Sequence, residues 1–182
     1  MAEAFSNKLT RAAGIVTTSS SGSIGVTTTI ITGISTVGVA VSDLVDNANF
    51  IAGTKVTGYG AAASQVVVDQ TSTNTSAVSG VAIVNFLGMT TAYTSAAATK
   101  SILIGGTFAN NTSSSVNLTI EVHDASAGIQ AALATKIPVP TGSSFVISDA
   151  GKSVLEAGDE VRVFCDTANA IDVNLSILTG VS

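Results

Sequence analysis

The sequence has very little of the side-chain chemistry from which most active sites and metal sites are built. It contains a single cysteine, Cys165, and a single histidine, His123. One thiol excludes an intramolecular disulfide framework, and a metal site would have to be built from carboxylates alone. Cys165 continues the inward phase of Val161 and Val163, which favours a buried small hydrophobic residue over a nucleophile. We therefore predict no catalytic residues, no metal site and no cofactor.

Charge and aromatic rings are both scarce, and this limits the partners that the surface can bind. Charged residues make up 10% of the chain and aromatic residues 4%, with no tryptophan. A cytosolic enzyme of this size usually carries about 25% charged residues. The net charge of −5 repels phosphate backbones, and few rings are present on which bases could stack. We therefore predict no nucleic-acid partner, and the composition is typical of secreted and virion β proteins.

The chain also lacks the features of membrane insertion and of signal-peptide export. No residue between Arg11 and Asp43 is charged, which a hydropathy window would flag as a membrane span. Many serine and threonine hydroxyls in that stretch would, however, be left in hydrocarbon. The first eight residues contain an acid, Glu3, and lack the apolar central stretch of a signal peptide. We predict no membrane partner.

What the sequence does contain is strand-like alternation, most clearly in its C-terminal third. Apolar residues alternate with polar ones over 116–123 and again over 171–177, which is the period of a strand with one buried face and one solvated face. Turn residues separate these runs from shorter apolar runs at 145–147 and 161–163. The pattern predicts an all-β protein whose C-terminal part is an antiparallel β-sandwich or jelly-roll-like domain.

The distribution of these runs predicts four segments along the chain. Residues 1–14 form an N-terminal arm, and 15–88 form a small β domain. Residues 89–99, rich in alanine, serine and threonine, form a linker. The β-sandwich domain occupies 100–182.

Two local predictions weigh residue propensity against context. The serine- and glycine-rich stretch 19–23 predicts a turn between two short strands. The alanine-rich stretch 130–136 has the composition of a helix, but it lies between strands and Pro138 follows closely. Because a proline disfavours helical backbone in the residue before it, we predict a strand there.

The N-terminal arm supplies the candidate assembly residues. Phe5, Leu9 and the alanine pair at 12–13 are spaced as on one side of an amphipathic helical turn. Two interpretations remain open: a short turn or arm that docks on a neighbouring molecule, or a frayed terminus. In the first, Phe5, Leu9 and the charged Arg11 make the contact.

A cluster of oxygen-bearing side chains raises the possibility of a calcium site. Asp43, Asp46, Asn47 and Asn49 lie close together in sequence. Their spacing lacks the central glycine and the closing glutamate of the twelve-residue calcium loop. Turn residues of the Asx type explain the cluster more simply.

A hydrolase needs a nucleophile and a base, and the sequence offers only a weak combination. Ser144 or another serine would have to meet His123, with Asp124 or a second acid to orient the imidazole. No nucleophile motif surrounds any serine. We predict that the protein is not an enzyme.

Several stretches along the chain carry a resemblance to a known group of proteins. They are Phe5-Ser6-Asn7-Lys8-Leu9-Thr10-Arg11, Thr32-Gly33-Ile34, Val39, Val41, Asp43-Leu44-Val45, Phe50-Ile51-Ala52-Gly53-Thr54-Lys55-Val56, Pro138-Val139-Pro140-Thr141-Gly142-Ser143-Ser144 and Val154-Leu155-Glu156-Ala157-Gly158-Asp159. Through them the first half looks like a small β module of tailed-phage virion proteins and surface fibres, and the second half is similar to a β-sandwich domain of phage structural proteins, including those of cyanophages. The N-terminus also looks like N-termini in that group.

The resemblance implies a virion component that works by assembly in several symmetric copies on the head, neck or collar, or tail. Its partners would be further copies of the chain and other virion proteins, and its location the virion. The resemblance carries no catalytic residue over to this chain. The alternative function is a receptor- or glycan-binding module of a tail or head fibre, whose partner would be a host surface glycan. That function predicts exposed aromatic side chains clustered on one rim.

Overall fold

The computed structural model describes residues 3–148 and 152–181. All regular secondary structure in that part of the chain is β-strand. The predicted all-β class is confirmed. The strands are β1 (Ala4–Ala13), β2 (Ile15–Ile24), β3 (Ile30–Thr32), β4 (Leu44–Asp46), β5 (Val56–Tyr59), β6 (Gln65–Val68), β7 (Val78–Gly88), β8 (Thr90–Thr94), β9 (Lys100–Asn110), β10 (Val116–Asp124), β11 (Ile129–Val139), β12 (Ser144–Ile147), β13 (Ser153–Leu155), β14 (Glu160–Cys165) and β15 (Ile171–Val181).

The strands fall into two compact units, and the second unit is inserted into the first. The sandwich unit combines Met1–Gly14 with Thr90–Ser182, and the inserted unit is Ile15–Met89. The small β domain predicted over 15–88 is therefore present with nearly those bounds, but it interrupts the sandwich instead of preceding it. Ile15 in β2 pairs with Gly88 in β7, so the chain leaves the sandwich and returns to it on neighbouring strands.

Residues 1–14, predicted as an arm, contain the edge strand β1 of the sandwich unit. β1 pairs antiparallel with β15 without interruption from Ala4 to Thr10. Ala4–Ala13 is therefore neither a helical turn nor a frayed terminus. The spacing suggested a helical turn because residues four apart lie on one face of a strand as well as on one face of a helix. The spacing of Phe5 and Leu9 therefore did not distinguish the two structures.

The predicted linker over 89–99 was wrong in its first half, because Thr90–Thr94 forms β8 and pairs with β14. Small and polar residues there resemble a loop in composition, but Ala92 is buried in the sandwich core. Ser95, just after the strand, is also buried, and its hydroxyl donates to the carbonyl of Thr99 at 3.0 Å. Burial of small side chains, which composition does not reveal, makes this segment part of the domain.

Two sheets enclose the core of the sandwich unit. The five-stranded sheet has the order β1-β15-β9-β12, with β13 also paired to β9, and the four-stranded sheet has the order β11-β10-β14-β8. Both sheets contribute to one apolar cluster, for example Phe108 and Leu175 from the first and Leu118 and Val163 from the second. The cluster follows from the alternation in the sequence, since every second residue of these strands points inward.

The inserted unit is a six-stranded sheet in the order β4-β7-β2-β3-β6-β5, with its own core around Phe86, Ile31 and Val66. The predicted turn over 19–23 was wrong: these residues continue β2, whose register with β7 shifts on both sides of Gly22. A Cβ atom at Gly22 would lie 3.1 Å from the Ala82 carbonyl oxygen. The glycine therefore permits a close approach of two strands instead of a chain reversal.

Two other sequence-based expectations are confirmed. The alanine-rich stretch 130–136 lies within β11, so the strand prediction is confirmed. Cys165 is fully buried in the sandwich core, as expected from its phase, and burial raises the pKa of its thiol. Within the described ranges, no helix is long and apolar enough to cross a membrane.

Candidate assembly surface

The outer side of the five-stranded sheet carries a row of apolar side chains across four strands. Phe5 of β1 pairs with Leu178 of β15, Leu178 pairs with Ile102 of β9, and Ile102 pairs with Val154 of β13. Directly paired residues of antiparallel strands project from the same face of a sheet. Phe5 and Val154 are 63% and 60% exposed, and Leu178 and Ile102 are half-buried.

A second row crosses the same face four residues further along β1. It runs from Leu9 through Asn174 and Thr107 to Val146. Leu9 is 73% exposed and Val146 is 57% exposed. Together the two rows place six apolar side chains on the solvent side of the sheet, and we call this set the apolar face: Phe5, Leu9, Ile102, Val146, Val154 and Leu178.

The residues between the two rows are small or polar, so the apolar face is grooved. Asn7 pairs with Ser176, which pairs with Gly105. A shallow groove over these positions is bounded by Phe5 on one side and Val146 on the other. The face therefore offers apolar walls and a floor of hydrogen-bonding groups, a combination that fits a complementary protein surface better than it fits bulk water.

The dimensions of the face follow from strand geometry. Four strands span about 14 Å at roughly 4.8 Å per strand, and the two rows are about 14 Å apart at roughly 3.4 Å per residue. Soluble monomers commonly expose apolar patches of up to about 300–600 Å², so its size alone does not mark the face as a contact site. Its position beside the sheet edge formed by β1 makes it the candidate.

Strand β1 borders this face and carries two charges, Lys8 and Arg11, with Glu3 directly before it. Glu3, Lys8 and Arg11 are exposed, and none of them forms an ion pair with another residue of the described chain. Arg11 lies beside Leu9 and Asp172 at a second groove on the same sheet. No strand of the described chain pairs with the outer edge of β1. Near its end the Thr10 hydroxyl donates to the Ala92 carbonyl and the Ala12 N–H donates to the Asp172 carboxylate, so the backbone edge open to a partner is the part before Thr10.

The predicted assembly residues and the apolar face overlap in part. Phe5 and Leu9 both belong to the face, and Arg11 lies at its border. Sequence reasoning missed Ile102, Val146, Val154 and Leu178, although each is an apolar residue at an outward position of its strand. That phase was the available signal, but it identifies a surface only once the strand order is known.

The cluster around residue 43 forms turns, as predicted. The Asn47 side-chain oxygen accepts from the Asn49 backbone N–H at 2.8 Å, and an Asp43 carboxylate oxygen accepts from the Ala40 N–H at 2.8 Å. Among the described residues, no group of three or more His, Cys, Asp or Glu side chains is placed to hold a metal ion.

The three residues considered for hydrolysis are not joined by hydrogen bonds. Ser144 is exposed on β12 of the five-stranded sheet, whereas His123 is on β10 of the four-stranded sheet. The Asp124 carboxylate caps its own turn, accepting from the Ala127 N–H and the Ser126 hydroxyl, and these bonds lower its pKa. Its hydrogen bonds thus serve the turn and not the imidazole.

The exposed aromatic side chains do not gather on one rim of either unit. Among the six phenylalanines and two tyrosines, only Phe5 and Tyr59 are exposed, one in each unit. The Tyr59 hydroxyl donates to the Val39 carbonyl at 2.5 Å.

Comparison with protein-family models, curated proteins and solved structures found no match for the chain.

Proposed function

We propose that the protein is a non-enzymatic structural component of a tailed-phage virion that assembles in symmetric copies on the head, neck or tail. The observation that supports this most directly is the apolar face, which exposes Phe5, Leu9, Val146 and Val154 on one side of a rigid sheet. An exposed apolar face suits a lasting contact between subunits, because the contact removes apolar surface from water. The sequence resemblance to phage virion proteins supplies the setting.

Purified particles of the phage that encodes the chain test the setting. Quantitative mass spectrometry should find the chain in particles freed of unassembled protein, in a copy number set by virion symmetry. Threefold multiples would indicate capsid sites or fibres, and sixfold or twelvefold multiples the neck or tail. Absence of the chain from such particles would refute the proposal.

Paired surface variants test whether the apolar face makes the contact. We expect Val146→Ser combined with Val154→Ser to reduce incorporation into particles at least about tenfold, the effect of roughly 1.4 kcal/mol of lost binding. Ile129→Ser is the matched control, since Ile129 is equally exposed, at 63%, on the four-stranded sheet. Equal incorporation of both proteins would show that the face is not the contact.

A further inference from the structure

The free edge of β1 is complementary to itself. An antiparallel partner strand related by a two-fold axis through Asn7 would extend the five-stranded sheet. In that register Phe5 lies opposite Leu9 of the partner subunit, and Leu9 lies opposite the partner's Phe5. The two most exposed apolar side chains of the strand would thus cover each other in cross-strand pairs.

The charges in and next to β1 also match in this register: Glu3 directly precedes the strand, and Arg11 is the first residue after the regular pairing with β15. Glu3 lies opposite Arg11 of the partner subunit, and Arg11 lies opposite the partner's Glu3. Lys8 lies opposite the partner's Ser6. Neither Glu3 nor Arg11 has an ion-pair partner among the described residues, so two cross-strand pairs of opposite charge would form without breaking an existing one.

Neighbouring registers lose this match. The apolar faces of both copies stay on the same side only if the strands shift by two residues at a time, because side chains alternate. A shift in one direction places Lys8 opposite the partner's Lys8, and a shift in the other places Leu9 opposite the partner's Glu3. Both lose the Phe5–Leu9 pairs, so the register centred on Asn7 is favoured over its two nearest neighbours.

The backbone of β1 is also suited to pairing. Its register with β15 is regular from Ala4 to Thr10, and a bulge follows only after Thr10. The edge strand β11, at a corner of the other sheet, has two register shifts against β10, and bulges of that kind hinder edge pairing. β1 is thus the longer regular edge in the sandwich unit.

We propose that two copies of the chain associate through antiparallel β1–β1 pairing in the register centred on Asn7, giving one continuous sheet with a doubled apolar face. This inference rests on the proposed assembly function and names its partner as a second copy. A strand-edge contact buries less surface than a standard interface, so a dissociation constant in the micromolar range or weaker is expected.

Charge-swap variants of the full chain test the register by sedimentation equilibrium. Glu3→Arg alone or Arg11→Glu alone creates like-charge pairs, and each should raise the dissociation constant about tenfold. An equimolar mixture of the two variants restores opposite charges at both pairs and should associate within about threefold of the unmodified protein. Lys8→Glu, which changes the net charge as much as Arg11→Glu, should have little effect. A mixture that associates no better than its components overturns the proposal.

Disulfide trapping gives a second test with a separate readout. Paired residues of antiparallel strands have Cα atoms about 4.5–5.5 Å apart, within the range that a disulfide spans. Asn7→Cys should therefore form a covalent dimer on mild oxidation, because Cys165 is buried. Asn174→Cys, exposed on β15 one strand away, should not. Equal yields from both variants overturn the register.

The two proposals can fail separately. If virions contain the chain and the Val146→Ser, Val154→Ser protein is excluded from them, but Asn7→Cys does not cross-link, assembly stands and β1 pairing is overturned. If Asn7→Cys dimers form and the charge-swap mixture recovers, while virions lack the chain, self-association stands without a virion role.

Discussion

Asp43 shows how a single buried carboxylate couples the inserted unit to pH. It is 4% exposed, and one of its oxygens accepts a hydrogen bond from the Ala40 N–H. Burial raises its pKa above the ordinary value of 3.8, and the Ala40 N–H partly offsets that rise. Between 3.8 and the raised pKa, the folded protein binds more protons at this site than the unfolded chain does, so stability increases as pH falls.

Asp43→Asn removes this titration and keeps an oxygen that can accept from Ala40. We expect the free energy of unfolding of the unmodified protein to rise, relative to the variant, as pH falls from neutrality through the raised pKa, and to level off below 3.8. Urea denaturation at a series of pH values measures the difference. Parallel curves for the two proteins would contradict the assignment.

Asp124→Asn is the control of opposite sign. The pKa of Asp124 is lowered by bonds from Ala127 and Ser126. Its contribution to stability is therefore present above 3.8 and lost as pH falls through the lowered pKa. The two substitutions should thus change the pH dependence in opposite directions.

At the scale of single elements, alternation was a sound guide and composition was not. The strands over 116–123 and 171–177 were predictable because β-strand periodicity is visible in the side chains themselves. The stretch 19–23 and the first half of 89–99 were mistaken for a turn and a linker. Both are strands of serine, glycine, threonine and alanine, whose place in a sheet depends on partners distant in sequence.

β1 is the element whose role changes most once the sheet is known. It supplies an edge of the five-stranded sheet and ends with Ala13 buried in the core. Its loss exposes one side of β15 and opens the core. We expect deletion of residues 1–14 to unfold the sandwich unit rather than release a folded monomer, since about 2–5 kcal/mol of packing and strand pairing is a large part of a domain's stability.

Near-ultraviolet and far-ultraviolet circular dichroism of the deletion variant measure this loss. Phe5→Ser combined with Leu9→Ser is the control, because both side chains are exposed and surface substitutions usually cost less than about 0.5 kcal/mol. A deletion variant as stable as this control would show that β1 is dispensable for folding. If the deletion unfolds the sandwich unit as expected, a loss of assembly after truncation would reflect unfolding and not the loss of a contact.

The chain contains a sandwich unit whose sequence is interrupted by the inserted unit, and this arrangement could not be predicted from the sequence. The bounds of 15–88 were visible because composition changes there, but no local pattern reveals that β1 and β8 belong to the same domain as β15. Pairing of residues more than 160 positions apart, such as Phe5 with Leu178, defines that domain. The apolar face was hidden for the same reason, because it combines side chains from both ends of the sandwich sequence.

The insertion predicts that the sandwich folds without the inserted unit. The Gly14 N–H donates to the Thr90 hydroxyl at 3.3 Å, so the two chain ends left by removing Ile15–Met89 are adjacent and a linker of about three glycines can join them. Because each unit has its own buried cluster and loop-closure entropy changes only slowly with loop length, we expect the stability of the sandwich to change by no more than about 2 kcal/mol.

Urea denaturation of the shortened protein, monitored by circular dichroism, tests this expectation. Unfolding of the full chain should expose the cores of both units. The shortened chain should keep one cooperative unfolding transition with a smaller m-value, because less surface becomes exposed on unfolding. A shortened protein without a cooperative transition would show that the sandwich depends on the inserted unit. The same deletion combined with loss of residues 1–14 should abolish the transition, because the sandwich then lacks β1.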